Sequence, residues 1–201
     1  MTTGLITREA GLTTYPPERL FSVKEYYRMA EAGILRPDER VELIEGRVLK
    51  MYRKTPLHSA CTTRINYWMH SRLDGQAEIR VHNPIDMGEF TEPEPGLIVA
   101  KLDRDEYVDH HPTPSEVFLI IEIADLSLEY DREIKAKLYA KAGVLQYCLV
   151  NLNDIQIEDH RRPIAGSYAQ KQIYAGDQSF NLVAFPDVEV KATDWLLRRQ
   201  H

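Results

Sequence analysis

Cysteine is nearly absent: the 201 residues contain two, Cys61 and Cys148. They form no CxxC pair, both lie in apolar helix-like or strand-like surroundings, and no histidine cluster stands at zinc-ligand spacing. This argues against a disulfide framework or a structural zinc site and points to a reducing compartment. Long hydrophobic runs are missing too. No window approaches the roughly 18 apolar residues of a membrane span, and the opening Met1-Thr2-Thr3-Gly4-Leu5-Ile6-Thr7-Arg8-Glu9 lacks the apolar core of a signal peptide, so a cytoplasmic protein is expected. Positive charge is scarce, with 25 Lys and Arg against 31 Asp and Glu and a net charge of −6. That balance disfavours tight non-specific binding to nucleic acid, which depends on many cation–phosphate contacts, but leaves room for a local basic patch. There is no internal repeat and no low-complexity segment. Residues 1–19 carry few periodic apolar positions and include Pro16-Pro17, so they read as a loose leader, and residues 20–201 as one domain.

What is present is an alternation of helix and strand signals. Ser22-Val23-Lys24-Glu25 has capping-box spacing and opens a helix that runs to about Ala32, where Gly33 stops it. Val41 to Ile44, the Glu45-Gly46 turn and Arg47 to Met51 read as a hairpin. From Pro56 to about Leu73 the residues Leu57, Cys61, Ile65, Trp68 and Met69 recur at helical spacing and predict one buried face. Ala77 to Val81 and Leu97 to Ala100 are short strands. After a charged loop comes Val117-Phe118-Leu119-Ile120-Ile121-Glu122-Ile123-Ala124. A helix over about 128–142, with Ile134, Leu138 and Ala142 on one stripe and Gly143 at its end, leads to the buried strand Gln146 to Val150, which implies a parallel, right-handed crossover. Segments 156–158, 168–174 and 180–183 read as an antiparallel extension.

Glu122 is the residue that calls for chemistry. An ionised carboxylate inside an otherwise apolar strand is expensive unless it is paired, neutralised or bound to a metal. Lys135 follows 13 residues later on the next helix, and a strand carboxylate with a nearby amine is the minimal equipment of a metal-dependent phosphodiesterase. The plainer reading is a structural ion pair. Lys135 also lies four residues after Asp131, the spacing of a surface pair worth about 0.3–0.5 kcal/mol.

Several short motifs carry a resemblance: Glu42-Leu43-Ile44-Glu45-Gly46, His58 at the start of the second helix, Glu92-Pro93-Glu94-Pro95, Ile121-Glu122-Ile123-Ala124-Asp125, and Tyr130-Asp131-Arg132 through Lys135, Tyr139, Ala142-Gly143-Val144 and Tyr147. In this order, over roughly residues 20–190, they resemble the Uma-two family of restriction-endonuclease-like proteins. The resemblance implies an α/β fold of the PD-(D/E)XK nuclease type, a mixed β-sheet flanked by α-helices. It also implies hydrolysis of DNA phosphodiesters with Mg²⁺ or Mn²⁺ as cofactor. Glu122 maps onto the metal-binding glutamate, Lys135 onto the catalytic lysine displaced to the following helix, and Glu42 onto the N-terminal acidic position. Glu42, Glu122 and Lys135 are therefore expected to converge on one cleft, with Gly96 at its rim. DNA is the implied partner, and enzymes that cut both strands commonly pair as two-fold homodimers.

One departure weakens the implication. Where similar sequences place a metal-binding aspartate after the proline, this chain has Pro95-Gly96-Leu97, and unless Glu94 or Asp86 substitutes, the ion is expected to bind weakly. A non-catalytic binding or dimerisation module is the rival reading, and a structural domain without a nucleic-acid role is a third. Period-two alternation would turn Glu42 to solvent. His58 reads as a helix-start residue, Asp125 and Ser127 as helix caps, and Arg64, Arg72, Lys137, Lys141, Arg161 and Arg162 as solvated helix or loop charges.

Overall fold

The computed structural model describes residues 17–197. The leader expected over residues 1–19 thus lies outside the described residues except for its last three, where Glu18 pairs with Arg47 at 2.6 Å. The first helix, α1 (Val23–Glu31), starts at the capping box: Ser22 Oγ accepts from the Glu25 amide and the Glu25 carboxylate accepts from the Ser22 amide. It buries no side chain of its own, and is tied down through Tyr26 Oη, which donates to the Val41 carbonyl. The hairpin β1 (Val41–Ile44) and β2 (Arg47–Lys50) turns through Glu45 and Gly46, both at positive φ, the geometry that selects glycine in a two-residue turn.

The long helix α2 (Pro56–Leu73) has Thr55 as its N-cap and buries Cys61, Ile65, Trp68, Met69 and Leu73. The main sheet has the order β3 (Glu78–Val81), β4 (Leu97–Ala100), β5 (Val117–Ala124), β6 (Gln146–Asn151), β7 (Gln156–Ile164) and β8 (Ser167–Tyr174). β5 and β6 are parallel and every other pairing is antiparallel. The Glu122 strand is therefore central and lies beside the 146–151 strand, as two apolar runs joined by a helical crossover require. Period two divides β5 between two cores: Leu119, Ile121 and Ile123 pack towards α2, whereas Ile120 and Ala124 face the opposite layer. Glu122 belongs to that second face and interrupts it.

Two expectations need correction. Segment 180–183 does not extend the main sheet; β9 (Ser179–Asn181) pairs with β10 (Glu189–Lys191) in a separate ribbon, whose Phe180 and Val190 join the α2-side core with Trp195 of α5 (Ala192–Trp195). The crossover helix is also not uniform. It consists of α3 (Leu128–Tyr130), a π turn over Asp131–Lys135, and α4 (Ala136–Lys141). At the π turn the Asp131 carbonyl accepts both the Ala136 amide and the Tyr147 hydroxyl, which widens the turn and shifts the buried stripe. Ile134, assigned to the core by periodicity, is 48% exposed, while Asp131, Lys135, Ala136 and Tyr139 point inward.

Candidate active site

Glu42 on β1, Glu122 on β5 and Lys135 on the π turn meet at the base of a cleft of about 280 Å³. Lys135 Nζ lies 2.9 Å from Glu122 Oε1 and 3.0 Å from Glu42 Oε2, and its side chain is only 5% exposed. The predicted convergence is present, and Glu42 faces this cleft rather than solvent. The remaining carboxylate positions are also engaged. Tyr139 Oη donates to Glu122 Oε1 at 3.0 Å, the Gly96 amide to Glu122 Oε2 at 3.0 Å, the Glu94 amide to Glu42 Oε2 at 3.3 Å, and Tyr130 Oη to Glu42 Oε1 at 3.4 Å. Burial opposes the charge on Lys135, but the fields of Glu122 and Glu42 outweigh it and hold the ammonium above its ordinary range.

Gly96 is not at the rim. It is buried at the floor, where a Cβ would stand 2.9 Å from the Ile121 carbonyl oxygen and 2.8 Å from Ile123 Cδ1. Glycine lets the start of β4 approach β5 and lets its amide reach Glu122, so the missing aspartate is built into the local packing. Neither proposed substitute takes its place. Glu94 lines the cleft but pairs with Arg40 at 3.2 Å, and Asp86 accepts the Gly88 amide in an exposed turn.

Asp131 is a cleft residue that sequence reasoning left on the helix surface. It is 3% exposed, accepts a hydrogen bond from Ser127, and has its carboxyl raised to about 8 by burial and then by the charge of Glu122. Lys135 pairs with Glu42 and Glu122, so the surface Asp131–Lys135 pair allowed by spacing does not describe its surroundings. His82 was also missed. It lines the cleft at φ 53°, with its imidazole lowered to about 4 by burial and the nearby Lys54 and Arg40 charges.

His58 lines the same cleft and is a helix-start residue: its amide donates to Thr55 Oγ1 and its Nδ1 lies 3.4 Å from Thr62 Oγ1. Asp125 accepts from Thr55 Oγ1 at 2.6 Å and so braces the start of α2. Three of the six candidate phosphate contacts are occupied elsewhere. Arg64 donates to the Leu196 carbonyl, Lys137 pairs with Glu133 and Arg161 with Asp159. The cations over the cleft are instead Arg40, Lys50, Arg53 and Lys54. Arg53 and Lys54 have no carboxylate partner among the described residues, and burial with the neighbouring Arg40 lowers Lys54 to about 8.

The donor chemistry suits a hard divalent ion, but thinly. Among the described residues no group of three or more His, Cys, Asp or Glu is placed to hold a metal. An ammonium within 3.0 Å of one oxygen from each glutamate nevertheless shows that Glu42 and Glu122 stand at a separation a cation can bridge. Mg²⁺ commonly takes one or two protein carboxylates and completes its octahedron with water and substrate phosphate. Glu122 and Glu42 would supply that pair.

Known proteins show the same architecture. A solved structure described as a putative nuclease belonging to DUF820, from Anabaena variabilis, superposes with a TM-score of 0.70 at 14% identity, covering 87% of this chain and 97% of that one. This shows the fold: a mixed nuclease-like sheet flanked by helices. No curated protein matches the sequence. The family model described as "Putative restriction endonuclease" matches residues 23–193, which hold all six strands of the main sheet and both sides of the cleft, and the chain therefore belongs to the Uma2 family.

Proposed function

We propose that the chain is a DNA phosphodiesterase whose activity is limited by weak binding of Mg²⁺ or Mn²⁺. The observation that carries this reading is the convergence of Glu42, Glu122 and Lys135, distant in sequence, at the base of a cleft overlooked by Arg53 and Lys54. Arg53 and Lys54 would draw in the diester and hold its non-bridging oxygens. The Gly96 amide and Tyr139 hydroxyl fix the rotamer of Glu122 so that its carboxylate is aimed before substrate arrives. Glu122 and Glu42 would hold the divalent ion, which would supply Lewis-acid chemistry at the phosphate. Lys135, when not engaged by the glutamates, would orient the attacking water or stabilise charge on the phosphorane. The two cysteines are free and buried, in keeping with a reducing, cytoplasmic setting.

Gly96 favours a second reading, a binding or dimerisation module that keeps the fold without cutting. Nicking of supercoiled DNA in Mg²⁺ or Mn²⁺, measured beside DNA binding, separates the two. The phosphodiesterase reading expects slow nicking at millimolar Mn²⁺ that disappears in Glu122→Gln while DNA binding persists. Binding with no cleavage at any metal concentration would support the module, and absence of binding would reject both as DNA-directed functions.

A further inference from the structure

The ammonium in the cleft has a consequence for the metal. Lys135 is not beside an open carboxylate pair; it lies between the two carboxylates, 2.9 and 3.0 Å from one oxygen of each, with the Tyr130 ring centroid 5.8 Å away. Tyr139 and the Gly96 amide also donate to Glu122, so three donors already hold its carboxylate, and the ammonium offsets one of the two buried negative charges. Glycine at position 96 offers no side-chain ligand, and Glu94, the cleft carboxylate nearest to it in sequence, is paired with Arg40 at 3.2 Å rather than free to tip the balance towards a doubly charged guest. We propose that the Lys135 ammonium is the resident cation of this site, competing with a divalent ion for Glu42 and Glu122 and holding the cleft metal-free until it is displaced.

Two effects follow from one exchange. The ion gains its ligands only as Lys135 leaves them, and the displaced amine becomes available to the phosphate. Weak metal binding in this chain then has two sources: a ligand too few and a competitor too many. The competitor can be removed without touching a ligand. Lys135→Met keeps the aliphatic stem and most of the volume but leaves two buried carboxylates facing each other without a cation. The variant should melt several degrees below the wild type in chelator, and Mn²⁺ should restore the loss, since ligand that binds only the folded state raises its stability.

The inference rests on reading Glu42 and Glu122 as metal ligands, and the test keeps the two apart. Mn²⁺ binding is followed by electron paramagnetic resonance of the free ion, with thermal midpoints in Mn²⁺ and in chelator and no DNA present. Lys135→Met should bind Mn²⁺ at least tenfold tighter than the wild type, and adding Glu122→Gln should abolish the gain. Equal or weaker binding by Lys135→Met overturns the competition. A gain that survives Glu122→Gln overturns the ligand assignment instead. If Lys135→Met fails to fold in either condition, acylation of surface amines in the wild type decides, read by mass spectrometry. Lys135 should be protected in chelator and become labelled at millimolar Mn²⁺, and labelling that does not change with the metal overturns the proposal.

Discussion

Gly96 and Glu122 are the residues on which the site turns, and they differ in how far the sequence reveals them. Glu122 stands out because every neighbour in its strand is apolar, and a buried carboxylate must have a partner. Gly96 is visible only as a missing aspartate, and its packing role emerges only when β4 is placed against β5. A Cβ at this position meets backbone as well as side chain, so Gly96→Ala should destabilise the fold by about 1–3 kcal/mol, the usual range for overpacking. A chain of this size loses about 2–4 °C per kcal/mol, which calorimetry resolves readily. Gly96→Asp carries the same steric cost, so it should melt below the wild type in chelator even though it adds a metal ligand. An unchanged midpoint for Gly96→Ala would mean that β4 and β5 separate freely at this point. Asp131 and His82 were not legible because nothing in a charged helix or an isolated histidine distinguishes a cleft wall from a solvated face.

Elements whose pattern is simple were read from sequence nearly residue for residue. α2 has a proline start, an N-cap and one apolar stripe; β5 and β6 are apolar runs that could only be central. The crossover was misread because its inward face is polar, and a hydrophobic period cannot detect a buried Asp131 or Lys135. The π turn is also anchored from its other side. Arg132 donates to Glu158 on β7, which is 1% exposed and further bound by Lys171 Nζ at 2.6 Å and Asn151 Nδ2 at 3.3 Å. Burial would raise this carboxyl, but the His160 imidazole 3.9 Å away and the close contacts from Arg132 and Lys171 more than offset it and hold the group well below the ordinary carboxylate range. Because the folded pKa is depressed, the unfolded chain takes up the proton first as the solution is acidified. The stabilisation is therefore present above the unfolded value near 4 and is lost below it. Glu158→Gln should be less stable than the wild type at neutral pH and show a shallower loss of stability between about pH 5 and 3. Denaturant titrations at several pH values check this, and parallel curves for the two proteins would show that Glu158 does not link the π turn to acid stability.

At the scale of the whole molecule, a net charge of −6 must be reconciled with the polyanionic substrate we propose. The answer offered by the fold is local: among the described residues Arg53 and Lys54 line the cleft without a carboxylate partner, beside Arg40, which pairs with Glu94. Two phosphate contacts release few counterions, so the slope of log K against log salt should be about −2 rather than the steep dependence of a basic DNA-binding domain. Lys54 adds a pH signature. Burial and Arg40 bring its ammonium down to about 8, so it is mostly charged at pH 7 and mostly neutral at pH 9. DNA affinity, measured with chelator present so that metal plays no part, should therefore fall as pH rises through 8. Lys54→Arg should keep the affinity at pH 7 and make the decline shallower, because an arginine does not titrate in this range, while Asp131, raised to about 8 in the same cleft, keeps its own share. Lys54→Gln should bind weakly at both pH values. A decline that persists unchanged in Lys54→Arg would place the titrating group elsewhere, and it would take Lys54 out of the path along which the phosphodiester approaches Glu122.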